Sequence, residues 1–271
     1  MRYQYSKSRR LPYRPHGGYS ALAVWRLVLA LIAVAVLAAA ALAGVAQAGD
    51  ADTPHYPDLR TLPPTDVKLQ RDRQAGVRRI VLSNTVANLG DGRLELRPVN
   101  NAATGTTDAY QRIYAHDSGG NWYLHSEELA GTFVFHPTHG HTHFEDFALY
   151  ELWTIAPGGG PGTLLRSSEK VSFCIIDVGL VDDTLEHASG RTYSSCGQTA
   201  IQGLSVGWSD TYTWSLAGQS IDVTGVRNGT YWLVSTADPA DHVNEGGGSN
   251  ETNNSAAVKV QIKGNSARIV N

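Results

Sequence analysis

The sequence predicts an all-β protein, an antiparallel β-sandwich with long irregular loops and little helix. Three observations support this prediction. From about residue 78 to residue 262 the chain is a series of short apolar segments rich in β-branched and aromatic residues. Clusters of Gly, Asn, Asp and Ser separate these segments, as they do at turns between neighbouring strands. No convincing amphipathic helix interrupts the series, so we expect sheets packed on sheets.

Length and composition allow a substantial core. The chain has 271 residues, of which 42% are hydrophobic and only 17% are charged. A single β domain of this size is ordinary, and only the two ends look poorly suited to a packed fold.

The first 48 residues predict a signal peptide or an N-terminal membrane anchor. They contain six basic residues and no acidic residue, followed by an apolar run at residues 27–45 and by Ala46-Gln47-Ala48. A basic segment, an apolar segment and a small-residue motif are typical of export, here with cleavage after Ala48. The apolar run is also long enough to remain as a membrane tether. In both cases the rest of the chain is expected to be secreted or extracytoplasmic, with residues 49–56 as a leader.

The charge balance points away from nucleic acid. The whole chain carries a formal charge of −3, and the remainder is clearly acidic once the six basic residues of the leader are removed. An acidic surface disfavours nucleic acid and anionic lipid as partners, and it is compatible with cationic partners such as amines.

The expected strands follow from the alternation of apolar segments and turns. A turn at residues 88–92 separates the first two strands, and a hairpin turn at residues 117–120 joins the third and the fourth. The segment at residues 178–195 is polar and irregular, with room for one short helix near residues 182–187. In chain order the strands are 80–86, 94–98, 110–115, 122–125, 133–153, 171–176, 208–214, 221–223, 231–235 and 258–262.

Two cysteines, Cys174 and Cys196, predict one disulfide. An even number of cysteines in an exported chain indicates a bridge rather than free thiols. This bridge would close a loop of about twenty residues, which typically contributes ~3 kcal/mol to stability.

A histidine run in the middle of the chain predicts a metal site. Four of the ten histidines lie at residues 136–143, and the last three, His139, His141 and His143, alternate. Alternate residues of a strand share a face, but neighbours there are roughly 7 Å apart, whereas a metal–imidazole bond is only ~2 Å long. The strand must therefore curl, which Gly140 favours. Imidazole ligands without a thiolate suit copper(II), zinc or nickel; the other interpretation is a solvated polar strand face.

Two other metal-binding patterns fit this run less well. A metallo-hydrolase of the His-x-His-x-Asp-His type needs Asp at position 143, where the chain has a histidine. A cupin needs Glu at position 147, where the chain has Phe147. Both alternatives are therefore disfavoured.

Several motifs together resemble the catalytic domain of the lysyl oxidase family, copper amine oxidases with a self-made quinone. Without this resemblance Lys170 and Tyr212 would not stand out, because a lysine at a strand start is usually solvated and a tyrosine in a strand is usually part of the core. The resemblance extends from about residue 57 to about residue 262. The motifs that carry it are Phe133-x-Phe135-His136-x-Thr138-His139-x-His141-x-His143, Lys170-Val171-Ser172-Phe173-Cys174, Gln202-Gly203-Leu204-Ser205, Asp210-Thr211-Tyr212, Ile221-Asp222-Val223-Thr224 and Thr252-Asn253-Asn254.

The resemblance implies a copper site and a quinone. His139, His141 and His143 would be the copper ligands, and Lys170 and Tyr212 would form lysine tyrosylquinone. The implied reaction is the oxidation of peptidyl lysine or other primary amines by O2, with release of an aldehyde, ammonia and hydrogen peroxide. Asp210 is a candidate for the base that removes the substrate proton, since it would share a strand face with Tyr212; local pairing is the alternative role.

The resemblance also implies a calcium site. Family members bind calcium between a Pro-Asp-Leu motif near the start of the domain and an acidic loop near its end, and these correspond to Pro57-Asp58-Leu59 and residues 245–254 of this chain. Oxygen donors suit this ion. Asn250 stands where the family has an aspartate, and Gly246-Gly247-Gly248 resembles an insertion. The implied ligands are Asp58, the Leu59 carbonyl, Glu245, Asn250, Asn253 and Asn254; a solvated polar loop is the alternative.

The expected layout is thus a targeting segment at residues 1–48, a leader at 49–56, a lysyl oxidase-like catalytic domain at 57–263 and a C-terminal tail at 264–271. Thr138 replaces a family cysteine, and the usual partners of Cys174 and Cys196 are missing, so a bond between these two would be a rewiring. Two other functions stay open. One is a non-catalytic copper-binding envelope protein on the same fold, and the other is a zinc hydrolase, which lacks an obvious nucleophile.

Overall fold

The computed structural model describes residues 52–137 and 140–270, which contain sixteen strands and one short 3-10 helix, Asn250–Thr252. The strands are β1 Leu59–Thr61, β2 Thr65–Asp72, β3 Val77–Asn88, β4 Leu94–Asn101, β5 Thr106–His116, β6 Trp122–His136, β7 His141–Ile155, β8 Pro161–Ser167, β9 Val171–Phe173, β10 Gly179–Leu180, β11 Gln202–Leu204, β12 Trp208–Tyr212, β13 Ser220–Asp222, β14 Gly229–Ala237, β15 Ser255–Lys263 and β16 Ser266–Val270.

These strands form two antiparallel sheets, which confirms the predicted all-β sandwich. The smaller sheet has the order β1-β3-β12-β10, with β2 and β13 also paired to β3. The larger sheet has the order β11-β4-β5-β6-β7-β14-β15-β16, with β8 and β9 paired to β7. Strands β7 and β12, which carry the histidines and Tyr212, thus belong to different sheets.

The core lies between the sheets because alternate residues of the long strands face inward. Leu82 of β3 in the smaller sheet and Phe147 and Leu233 of the larger sheet are fully buried members of one apolar cluster. Burial of such side chains contributes roughly 1.5–3 kcal/mol each. The strands that hold the candidate site are therefore anchored in the core.

The histidine run is not one continuous strand, contrary to the prediction of a strand at residues 133–153. Strand β6 ends at His136, β7 begins at His141, and these two residues pair across an antiparallel hairpin. Gly140 has φ +69°, a conformation that glycine adopts without steric cost, and its N–H donates to the carbonyl of His136 at 2.8 Å. The bend expected at Gly140 is thus a full chain reversal. Thr138 and His139 lie outside the described residues.

Other local predictions can be compared directly with the strands. The hairpin around residues 117–120 is confirmed, since His116 pairs with Trp122 across it. The prediction of a short helix near residues 182–187 is wrong. The Asp182 side chain accepts hydrogen bonds from the amide and the hydroxyl of Thr184, which stabilises a turn instead. The stretch expected as a C-terminal tail contains β16, which pairs with β15.

The predicted targeting segment at residues 1–48 lies outside the described residues. Within residues 52–137 and 140–270, no helix is long and apolar enough to cross a membrane.

Candidate active site

His141 and His143 point to the same side of β7 and bring two imidazole nitrogens face to face. Their Nε2 atoms are 2.8 Å apart, and His143 is only 6% exposed. Two metal–nitrogen bonds of about 2.0 Å at a right angle would separate the nitrogens by about 2.8 Å. The observed pair therefore fits two adjacent ligands of one transition-metal ion.

The third predicted ligand, His139, lies outside the described residues. His136, on the other arm of the hairpin, places its ring centroid 4.3 Å from that of His143. In the described part of the chain no three His, Cys, Asp or Glu side chains form a complete metal site. The hairpin thus brings His136, His141 and His143 close together.

Gln202 connects the histidine-bearing strand β7 to the segment beyond β9. This buried glutamine donates through Nε2 to the carbonyl of Thr142 at 2.7 Å and accepts through Oε1 from the amide of Ile175 at 2.9 Å. Thr142 is the residue between the two histidines, and its own amide donates to the carbonyl of Cys196 at 2.9 Å. Both backbone groups of Thr142 are thus held by side chains or loops outside β7.

The predicted disulfide is confirmed, with the Cα atoms of Cys174 and Cys196 5.7 Å apart. Its two ends anchor two parts of the site. The Cys196 carbonyl accepts the Thr142 amide, and the Cys174 amide donates to the Tyr212 hydroxyl oxygen at 2.6 Å. A single covalent bridge therefore connects the backbone that holds the histidine strand to the backbone that holds the tyrosine.

Tyr212 lies at the end of β12 with its ring stacked on Phe173. The two ring centroids are 3.8 Å apart with an interplanar angle of 18°. The ring stands edge-on to His143 at a centroid distance of 6.3 Å. Burial raises the pKa of Tyr212, and the nearby Asp210 adds to the shift. The phenol is therefore neutral at physiological pH, next to the histidine pair.

Asp210 is a buried carboxyl in the same region. It is 2% exposed, and its Oδ2 accepts the Ile176 amide at 3.5 Å. Burial raises the pKa of Asp210 to about 7. A carboxyl with such a pKa exchanges a proton readily near neutral pH, as a general base must.

An open, mostly apolar cavity of about 510 Å³ joins these groups. Its volume suits a small organic substrate. The residues that line it are His141, His143, Cys174, Ile176, Val178, Cys196, Asp210, Thr211, Tyr212, Leu216 and Ala217.

Lys170 lines a neighbouring cavity of about 430 Å³, which shares His143 and Ala217 with the first. Its Nζ donates to Oδ2 of Asp146 at 3.1 Å, and both side chains are 40% exposed. Asp146 has φ +57°, a strained conformation for a residue other than glycine. Lys170 and Tyr212 are thus in adjacent cavities at His143, and Lys170 is paired with a carboxylate that the sequence did not single out.

Three residues of the implied calcium set, Leu59, Asn250 and Asn254, contact Glu245. The Leu59 amide and the Asn254 side-chain amide each donate to one oxygen of this buried carboxylate. Asn250 donates to the Glu245 carbonyl at 3.4 Å. Burial raises the pKa of Glu245 to about 8, and a nearby cation would favour its charged form.

Three further oxygens in this region have no hydrogen-bond donor within the described residues. They are Oδ1 of Asp58, Oδ1 of Asn253 and Oδ1 of Asn254, and all three are buried. The other carboxylate oxygen of Asp58 pairs with Arg60 at 2.6 Å. Buried unpaired oxygens are costly unless a cation or water satisfies them, so the donor set fits calcium.

Comparison with known proteins finds similarity in the same part of the chain. The family model described as lysyl oxidase matches residues 116–271. Lysyl oxidase homolog 3B of Danio rerio and lysyl oxidase homolog 3 of Homo sapiens are each 34% identical over 139 residues, or 51% of this chain. Lysyl oxidase homolog 1 of Homo sapiens is 32% identical over 134 residues, or 49% of this chain.

The matched region spans only 15%, 16% and 21% of these three relatives' own lengths. The similarity therefore concerns one part of much longer proteins. Because the family model covers more than half of the sequence and includes the histidine hairpin, Lys170 and Tyr212, the chain belongs to the lysyl oxidase family.

Proposed function

We propose that this protein is an extracytoplasmic amine oxidase that depends on copper and on lysine tyrosylquinone formed from Lys170 and Tyr212. The observation that carries the proposal is the pair of imidazole nitrogens of His141 and His143, 2.8 Å apart, beside the buried ring of Tyr212. Residues 57–263 would be the catalytic domain, and residues 1–48 would direct export.

Copper would be held by His139, His141 and His143. When bound, copper supplies the redox chemistry with O2 that converts a tyrosine ring into a quinone, whose carbonyl then accepts electrons from an amine. The chain's own contribution is to position the ring. Phe173 stacks on one face of Tyr212, and the Cys174 amide holds its hydroxyl oxygen.

The cross-link requires Lys170 to leave Asp146. A lysine acts as a nucleophile only as the neutral amine, so Lys170 must give up a proton and break its 3.1 Å contact with the carboxylate. Because both side chains are substantially exposed, separating them costs little, and an exposed pair of this kind is worth only about 0–1 kcal/mol. The pairing thus supports a lysine that is kept apart from the ring until the cofactor forms.

The substrate would be a primary amine or a lysine side chain of a protein or peptide, with O2 as the second substrate. Its products would be an aldehyde, ammonia and hydrogen peroxide. The cavity offers an apolar lining around one buried carboxyl, Asp210, whose pKa of about 7 suits the removal of a proton from the bound amine. Calcium at Glu245 would tie β1 to the late loop.

A second candidate is a non-catalytic copper-binding protein on the same fold. It is favoured by one observation, the pairing of Lys170 with Asp146 in a cavity other than the one that Tyr212 lines. A protein that only binds copper has no need of Lys170. The two candidates therefore differ in what happens to this lysine after copper is added.

Mass spectrometry of copper-loaded protein tests the proposal. We expect a covalent link between the peptides that carry Lys170 and Tyr212, a visible chromophore that reacts with phenylhydrazine, and peroxide production from amines. Lys170→Ala should lose all three while retaining copper, whereas the matched variant Lys259→Ala, on β15, should lose none. Copper binding without any cross-link in the parent protein would favour the second candidate.

A further inference from the structure

A second group of histidines surrounds Trp122, and neither the copper ligands nor the quinone residues belong to it. His55, His116 and His187 come from the leader, the end of β5 and the loop after β10. Their ring centroids are 5.0 Å apart for His55–His116, 4.6 Å for His55–His187 and 5.9 Å for His116–His187. Trp122 lies within 5.4 Å of each of the three.

Each of these histidines has its Nδ1 atom against an oxygen. His55 faces Oδ2 of Asp91 at 2.9 Å, and His187 faces the Asp91 carbonyl at 3.0 Å. His116 faces the Asp117 carbonyl at 3.3 Å. A carbonyl or carboxylate oxygen only accepts, so the hydrogen is on Nδ1 and the lone pair of each neutral ring is on Nε2. Metal-bound histidines are oriented in this way by a carboxylate or carbonyl partner.

The Nε2 atom of His55 lacks a partner where one is needed. His55 is 2% exposed, and within the described residues its Nε2 has no hydrogen-bond donor or acceptor. Buried polar atoms are nearly always satisfied, and an exception calls for an explanation such as an ion or water. The lone pair of a buried imidazole is a ready ligand for a metal ion.

The backbone around the cluster is held in a costly conformation. His187 has φ +64°, which is unfavourable for a residue with a Cβ. The leader packs so closely on Gly92 that a Cβ at that position would stand 2.2 Å from the His55 carbonyl oxygen. Positive φ values at residues other than glycine occur often at binding sites, and the close approach at Gly92 brings two distant segments of the chain to one point.

We propose that His55, His116 and His187 form a second site, for a divalent transition metal bound through their Nε2 atoms. Three imidazoles without a thiolate suit zinc, copper(II) or nickel. With bonds of about 2 Å, the ring centroids of adjacent ligands would lie roughly 4.5–5.3 Å apart, close to the observed spacing. Asp91 supplies negative charge beside the three histidines. The nearby cation Arg93 lines the adjoining cavity and places its guanidinium over the ring of Tyr114.

Metal binding at this site requires a small closing movement. In residues 52–137 and 140–270 no three such ligands already stand in metal-binding geometry. His116 and His187 are partly exposed and can rotate toward the lone pair of His55, which is fixed by burial and by Asp91. The site would fasten the leader to the β5–β6 turn.

Zinc stoichiometry tests the proposal, measured in excess calcium by competition with a chromophoric chelator. We expect two equivalents of Zn²⁺ in the parent protein and one in His141→Ala/His143→Ala, which removes the first site. Adding His187→Asn and His116→Gln should abolish the remaining equivalent; asparagine is chosen at position 187 because it tolerates a positive φ. His125→Gln, an exposed histidine on β6, is the matched control and should change nothing.

Tryptophan fluorescence gives an independent measurement. Copper(II) bound by the cluster should quench Trp122, so Trp122→Phe should remove the quenching that persists in His141→Ala/His143→Ala. Near-ultraviolet circular dichroism would verify that each variant is folded, and His187→Asn alone serves as the milder variant. If His141→Ala/His143→Ala binds no zinc, or binds one equivalent that His187→Asn does not weaken at least tenfold, the cluster is only a set of packed rings.

Discussion

Replacing Gln202 with leucine should weaken the proposed copper site without changing any of its proposed ligands. Gln202 is 1% exposed and satisfies two buried backbone groups, the Thr142 carbonyl and the Ile175 amide. Leucine satisfies neither. Each buried group left without a partner costs about 1–3 kcal/mol, so Gln202→Leu should lose roughly 2–6 kcal/mol of unfolding free energy. Thr142, whose carbonyl would lose its hydrogen-bond donor, lies between His141 and His143.

Gln111 provides a matched control. It is 0% exposed and also holds one backbone amide and one backbone carbonyl, both of Asn244 and both at 2.8 Å. Gln111→Leu should therefore lose a similar amount of stability, but at a loop that carries no histidine of the copper site. Comparing the two variants separates a general loss of stability from a local loss of metal positioning.

Urea unfolding and equilibrium dialysis with copper measure the two effects. With an m-value of about 2–3 kcal/mol/M, both midpoints should fall by roughly 0.7–3 M. Copper affinity should fall at least tenfold, or about 1.4 kcal/mol, in Gln202→Leu and stay unchanged in Gln111→Leu. If both variants lose stability and both bind copper as the parent does, Gln202 has no part in holding the histidine strand.

Three further predictions concern the bridge, the buried carboxyl and the calcium loop. Replacing Cys174 and Cys196 with alanine opens a loop with a sequence separation of 22, so the free energy of unfolding should drop by about 3 kcal/mol under non-reducing conditions; an unchanged urea midpoint would contradict this. Asp210 has its pKa raised from 3.8 to about 7 in the folded protein, so the unfolded chain loses this proton at lower pH and the stability of the parent falls as pH rises from about 4 to 7. Metal-free Asp210→Asn should therefore gain on the order of 4 kcal/mol of unfolding free energy relative to the parent between pH 4 and pH 8. A stability difference that does not change with pH would refute the assignment. Calcium at a hundredfold excess over its Kd should stabilise the parent by about 2.7 kcal/mol and Glu245→Gln by much less, as measured by thermal unfolding; equal shifts in the two proteins would place calcium elsewhere.

The positions of most strands could be predicted from the sequence. The β5–β6 hairpin is one example, because the glycines at residues 119 and 120 lie between two apolar segments and stop both strands. Several exposed strands were missed. β8 and β16 are short and mostly exposed, so their side chains carry no apolar alternation that would reveal them.

The single strand predicted for the histidine run was wrong for an identifiable reason. Alternating histidines resemble a strand face, but alternation does not show where the chain reverses. Pro137 and Gly140 were both visible in the sequence as turn residues, and the chain reverses between β6 and β7 so that His136 pairs with His141. Here turn chemistry took precedence over periodicity.

By itself the sequence determined the fold class, the family, the disulfide and the residue types of the site, because these depend on local patterns and on motif order. Only the tertiary structure decided which distant residues meet. Gln202 reaches Thr142 across 60 positions, and Glu245 reaches the Leu59 amide across 186. His55 meets His187 in the same way. Such contacts are set by how the two sheets pack, and no periodicity along the chain encodes them.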